Sequence, residues 1–154
     1  MATPGPEHPG PEHPDRDLLT LARLARVLER GCGDLTLAQY RILALVADGE
    51  ERASDLAGRL ALARPTVSAT VDTLVERGLV DRAVVADDRR SLRLSATSAG
   101  RRVLRDSERS MRERLDTLLA HVDDVAVVEQ ALARLGDALD ARRSERIRAR
   151  TLPR

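Results

Sequence analysis

The sequence predicts a mainly α-helical fold with one small β-hairpin, and three observations carry that expectation. Between Ala53 and Gly100 two short helical patterns are separated by a tight turn. An alternating, arginine-studded hairpin pattern follows them directly. Leucine stripes at helical spacing flank the segment on both sides. That order describes a winged helix-turn-helix, an arrangement suited to duplex DNA, joined to a helical dimerisation region.

Each element follows from local chemistry. Residues 1–14 repeat a five-residue unit, Gly5-Pro6-Glu7-His8-Pro9 and Gly10-Pro11-Glu12-His13-Pro14, too rich in proline and glycine to hold a helix, and are expected to be a disordered tail. Its two His–Glu pairs, without cysteines or a third histidine, make a weak metal signal. Helical periodicity starts near Asp15, with Leu18, Leu21, Leu24, Ala25 and Leu28 on one stripe, and stops at Gly31-Cys32-Gly33. Thr36 and Gln39 then fit a capping box for a helix running through Tyr40, Leu43 and Val46 to about Ala47.

Ser54 to Leu60 forms a short helix carrying Leu56 and Leu60. Arg64-Pro65 opens the next, since proline is tolerated only in the first turn, and Val67, Val71, Leu74 and Val75 give it a buried stripe up to Gly78. Leu79–Arg82 and Ser91–Ser95 read as two strands, with Val84–Arg90 as the hairpin between them and Asp87-Asp88-Arg89-Arg90 at its tip. Thr97 is a good N-cap for a long helix with Leu104, Met111, Leu115, Leu118 and Val122 on one face. Asp123-Asp124 interrupts it, and Val128, Leu132, Leu135 and Leu139 resume the rhythm. The expected organisation is a helical dimerisation region over 15–34 and 98–148 around a winged unit over 35–97.

Composition limits the function classes. A chain of 154 residues, 42% hydrophobic, buries about one compact core. The net charge of +1 decides nothing about a polyanionic partner, but its distribution does. From Arg82 to Arg105 there are seven arginines and two acids. All 26 basic residues are arginine, which reads first as a codon bias of a GC-rich genome, although its planar fork also suits phosphates and base edges. The lone Cys32 forms no internal disulfide, no apolar run approaches the ~20 residues of a membrane span, and the N-terminus lacks the basic-then-apolar order of a signal peptide. A cytoplasmic protein is the expectation.

The second helix of a helix-turn-helix presents its first residues to the major groove. The candidate DNA-binding residues there are Arg64, Pro65, Thr66, Ser68, Ala69, Asp72 and Arg77. Arg64 suits guanine O6 and N7 or a phosphate, Thr66 and Ser68 suit phosphates or base edges, and Ala69 suits a thymine methyl. In the wing the candidates are Arg82, Asp88, Arg89, Arg90 and Arg93, with Arg90 entering the minor groove and Asp88 holding it. The plain alternatives are an amphipathic helix with a polar face and a solvated loop with incidental charges.

At this point the sequence resembles the MarR family of bacterial winged helix-turn-helix transcription regulators. The resemblance rests on Asp55-Leu56-Ala57, Pro65-Thr66-Val67-Ser68, Asp72-Thr73-Leu74-Val75-Glu76-Arg77-Gly78-Leu79-Val80, Asp87-Asp88-Arg89-Arg90, Ala96-Thr97 and Gly100, and covers nearly everything after the tail. It implies a homodimeric DNA-binding repressor or activator, reading a pseudo-palindrome, with the first and last two helices as the dimer interface. It also implies that Arg90 is the wing-tip arginine and Asp88 its holder. Two positions depart from the family pattern: Ala63 stands where serine often caps the recognition helix, a cap worth ~1 kcal/mol, and Ala96 where leucine is usual.

Many members of that family respond to small anionic aromatic ligands, and some sense oxidants through a cysteine. With no Phe, no Trp and one Tyr, an aromatic-lined pocket is not expected here, and the effector candidates reduce to Tyr40 and His121. Tyr40 also reads as a core-edge residue and His121 as a structural helix-end histidine. Cys32 sits between glycines with Arg30 nearby, which would lower its pKa, but it lacks the tyrosine partners of the family's peroxide sensors. No catalytic, metal or cofactor site is expected. A winged-helix module for protein–protein assembly is the alternative function, and it would call for acidic or apolar faces where Arg64, Arg89, Arg90 and Arg93 stand.

Overall fold

The computed structural model describes residues 14–49, 51–60, 62–85 and 88–151. Nine elements follow in order: α1 (Pro14–Gly31), α2 (Leu37–Asp48), β1 (Glu51–Arg52), α3 (Ala53–Leu60), α4 (Arg64–Glu76), β2 (Val80–Val85), β3 (Asp88–Ala96), α5 (Ser98–Leu119) and α6 (Val125–Thr151). The mainly helical architecture with a hairpin wing is as the periodicity predicts. Pro14, placed in the tail by its composition, instead opens α1, where a missing N–H costs nothing; the rest of the tail lies outside the described residues.

The helix starts are set by side-chain caps where the sequence provides them. Thr36 Oγ1 accepts from Gln39 N at 3.1 Å while Gln39 Oε1 accepts from Thr36 N at 3.0 Å, the reciprocal pair expected from their spacing. Thr97 Oγ1 accepts from Gly100 N at 2.9 Å and donates to Gly78 O at 2.8 Å, so one hydroxyl both caps α5 and ties it to the end of α4. Ala63 makes no side-chain cap at α4. Gly78, with φ +65°, makes the turn from α4 into β2 that a Cβ would strain.

The sheet differs from a two-stranded hairpin. Its order is β1-β3-β2, all antiparallel, with Glu51 opposite Leu94 and Arg52 opposite Arg93 on one side, and Val80 opposite Ala96 and Arg82 opposite Leu94 on the other. The periodicity that carries α2 to about Ala47 does not reveal β1, because two residues carry no alternation to read; only pairing to β3 makes them a strand. The wing strands also run further than expected, with Val85 opposite Asp88. Between that pair and Val84–Leu92 the register shifts, so Arg89, Arg90 and Ser91 sit in a bulge of β3 rather than in an open loop.

The core sits where α2, α3, α4, the sheet and α5 meet. Ile42, Leu43 and Val46 of α2, Leu56 and Leu60 of α3, Val67, Val71 and Leu74 of α4, and Leu79, Val80 and Leu94 are all buried. Leu104 and Met111 of α5 join them, with Cys32 and Leu35 from the loop before α2. Beyond this core the leucine stripes lie open: Leu18 and Leu21 of α1 and Val127, Leu135 and Leu139 of α6 are all at least half exposed. Among the described residues no helix is long and apolar enough to cross a membrane.

Candidate nucleic-acid interface

The first turns of α4 are exposed as a group. Arg64, Pro65, Thr66, Ser68 and Ala69 all face solvent, while Val67, Val71 and Leu74 on the same helix are buried. That division follows from helical geometry, because the apolar residues recur at three and four and leave the intervening positions outward. Thr70 Oγ1 donates back to Thr66 O at 2.8 Å and Thr73 Oγ1 to Ala69 O at 3.0 Å, so these two hydroxyls are engaged within the helix.

The structure redistributes the remaining candidates. Asp72 pairs with Arg82, joining the middle of α4 to β2, the first strand of the wing. Both are candidates for DNA, and in the structure each is the other's partner, so that together they join the wing to the helix. Between them lies a groove of about 280 Å³ whose walls include Arg64, Ser68, Val71, Asp72, Arg82 and the partly exposed Leu92.

Arg77 stands at the other end of the helix. It forms the C-cap of α4, at the opposite end from Arg64, and its Nη1 donates to Asp34 O at 3.1 Å and to Gln39 Oε1 at 3.4 Å. No residue pattern signals this contact, because Asp34 contributes a backbone carbonyl, which has no residue signature. Arg93 is exposed on β3 opposite Ala83 and Arg52. Asp88, Arg89 and Arg90 belong to β3, and their side chains, with all of Asp87, lie outside the described residues.

The two effector candidates are not brought together. Tyr40 is half-buried at a cleft of about 610 Å³ between α1, α2 and α5, lined by Leu28, Leu37, Met111 and Leu115 with Glu108, Arg109 and Arg112. Its hydroxyl pKa is raised, first by burial and then by the negative charge of Glu108. His121 lies in the turn after α5, exposed, its Nδ1 donating to Thr117 O at 3.0 Å, and does not line that cleft.

Cys32 also departs from expectation. Its thiol pKa is raised, first by burial and then by Glu29, rather than lowered by Arg30. The Sγ is buried against Met111 Sδ at 3.8 Å and donates to Leu28 O at 3.4 Å, while Ser107 Oγ donates to Cys32 O at 2.9 Å. The residue is a packing element of the α1–α2 loop.

The model of the MarR family matches residues 33–91, which run from the α1–α2 loop through α4 into the wing. Over residues 33–91 the chain is similar to the MarR family. MarR-family proteins are transcription regulators, not enzymes.

Solved structures agree across the rest of the chain. One of MarR superposes with a TM-score of 0.73 at 22% identity, covering 90% of this chain and 99% of that one. The transcriptional repressor CouR, bound to a 23-mer DNA duplex, gives 0.71 at 25% identity, over 80% of this chain and 89% of that one. The M. tuberculosis transcriptional regulator MOSR, in complex with DNA, gives 0.60 at 26% identity, over 82% and 94%. Among curated proteins no sequence matches this chain.

Proposed function

We propose that this chain is a MarR-family homodimeric repressor that binds a pseudo-palindromic operator in duplex DNA, acting in the cytoplasm. The observation that carries the reading is the exposed first turn of α4, with Arg64, Thr66, Ser68 and Ala69 outward, beside a wing pinned to the same helix by Asp72 and Arg82. In this reading Arg64 takes guanine or phosphate, Thr66 and Ser68 take phosphates or base edges, and Ala69 meets a thymine methyl. Arg90, in the bulged strand of the wing and held by Asp88, enters the neighbouring minor groove, whose negative potential draws a guanidinium.

Two DNA-bound relatives of the same fold, CouR among them as a repressor, support the partner and the sign of regulation. The open leucine stripes of α1 and α6 support a second copy over residues 15–34 and 98–148, because apolar surface of that extent calls for cover. An effector, if this regulator has one, finds its best place in the Tyr40 cleft, which is mostly aliphatic. An assembly module would need an acidic or apolar face on α4, and the arginine and hydroxyls there speak against it.

The test is selection of duplex DNA from a random pool by the purified protein, followed by sequencing. Half-sites repeated about one helical turn apart are expected. Arg90→Ala should then weaken binding by ~1–3 kcal/mol with the dimer intact by sedimentation. Equal binding of variant and parent across a salt titration would remove the wing assignment.

A further inference from the structure

We infer that Arg77 is a positioning residue for DNA binding, holding the far end of α4 to the α1–α2 loop so that the exposed first turn meets the groove at a fixed angle. This rests on the reading of α4 as the recognition helix.

The tie has two strands. Arg77 Nη1 donates to Asp34 O at 3.1 Å and to Gln39 Oε1 at 3.4 Å, and that same Gln39 oxygen accepts from Thr36 N at 3.0 Å in the capping box of α2. The C-cap of α4 is thereby bonded to the N-terminus of α2. The loop it grips is itself fixed from behind, since Ser107 of α5 donates to Cys32 O at 2.9 Å and Met111 of α5 packs on the Cys32 thiol. A continuous set of contacts thus runs from α5 through the loop to Arg77 and α4.

The geometry gives that contact leverage. The 13 residues of α4 span about 20 Å at 1.5 Å per residue, with Arg77 at one end and Arg64 at the other. A tilt of about 5° about the Arg77 end moves the Arg64 end by roughly 1.7 Å, more than half the length of a hydrogen bond. Val67, Val71 and Leu74 hold the helix down on the core, but apolar packing is non-directional and resists such a tilt less sharply than a directed bond.

Position also separates Arg77 from a phosphate ligand. Its guanidinium is already committed to a carbonyl and an amide oxygen, and a residue at the C-cap lies at the negative end of the helix dipole, opposite the end offered to DNA.

The experiment is a salt titration of operator binding by full-length Arg77→Ala, Gln39→Ala and the double variant, at one protein concentration. Arg77 is exposed, so Arg77→Ala is expected to fold and dimerise as the parent does, which circular dichroism and sedimentation check. Its affinity should fall about three- to tenfold while the slope of log K against log salt stays unchanged, because no phosphate contact is lost. Gln39→Ala should weaken binding in the same direction, and the double variant should be no weaker than Arg77→Ala alone, since both substitutions cut one tie. A slope smaller by about 0.9, additive losses, or parental affinity in Arg77→Ala would each overturn the inference. A parent protein that selects no duplex at all would instead overturn the operator reading beneath it.

Discussion

Gly100→Ala is the substitution whose consequence the structure specifies most closely. A Cβ at position 100 would stand 2.1 Å from Leu79 O, 3.0 Å from its carbonyl carbon and 3.2 Å from Leu43 Cδ1. The first contact is with backbone, and a carbon and an oxygen need more than about 3 Å, so α5 and the α4–β2 turn must part by about 1 Å. The same carbonyl accepts from Thr97 N at 3.1 Å, and parting the elements lengthens that bond as well. Overpacking of a close-packed site costs ~1–3 kcal/mol and a lost internal hydrogen bond ~0.5–1.5, so the variant should be ~2–4 kcal/mol less stable. The assay is urea unfolding followed by circular dichroism, both proteins at the same concentration, because subunit association feeds into apparent stability. The midpoint should fall with little change in slope. A variant within about 0.5 kcal/mol of the parent would refute the close approach between Gly100 and Leu79, and with it the account of how α5 is seated on the winged unit.

Two further outcomes follow from the site. In a double-mutant cycle, Asp72→Ala and Arg82→Ala should show a coupling of ~0.2–1 kcal/mol in stability, small because both partners are partly solvated, with side-chain exposures of 51% and 34%. Their operator affinities should fall together, and independent losses would separate the wing from the helix. Cys32 provides a pH test: its folded pKa lies above the ordinary 9.0, so the unfolded thiol loses its proton first as pH rises. Its contribution is therefore fully present below pH 9.0 and is lost as pH climbs through the folded value. Urea midpoints should fall more steeply above pH 9.0 in the parent than in Cys32→Ala, and parallel profiles would contradict the burial of the thiol.

Much of this was legible in the chain because it depends on neighbours in sequence. The capping box of Thr36 and Gln39, the cap at Thr97 and the stop at Gly78 each involve residues within four positions of the atoms they satisfy, and all three stand in the structure. The buried stripe of α4 was equally readable, since Val67, Val71 and Leu74 repeat with the helix itself. β1 was not, because a strand of two residues exists only through its pairing with Leu94 and Arg93. Nor was the bulge at 89–91, which arises from the mismatch of two strands rather than from either one.

The arginines divide along the same line. Composition concentrates arginines near the hairpin, and Arg77 and Arg82, read singly, are candidates for DNA. In the fold Arg77 serves the carbonyl of Asp34, Arg101 Nη1 donates to Ala47 O at 2.6 Å, Arg41 Nη2 donates to Leu60 O at 3.1 Å, and Arg82 pairs with Asp72. A guanidinium carries five donors and suits a helix C-terminus as well as a phosphate, so residue type alone does not choose between them.

The sequence by itself determined the helices, their caps, the buried stripes and the place of the winged unit, because periodicity and capping are local and each residue's preference points the same way. Only the tertiary structure decided which charged side chains are spent inside the molecule and which stay open on the first turn of α4. That choice is made by carbonyls and carboxylates brought close from elsewhere in the chain, and distance in space is the one quantity a linear pattern does not contain.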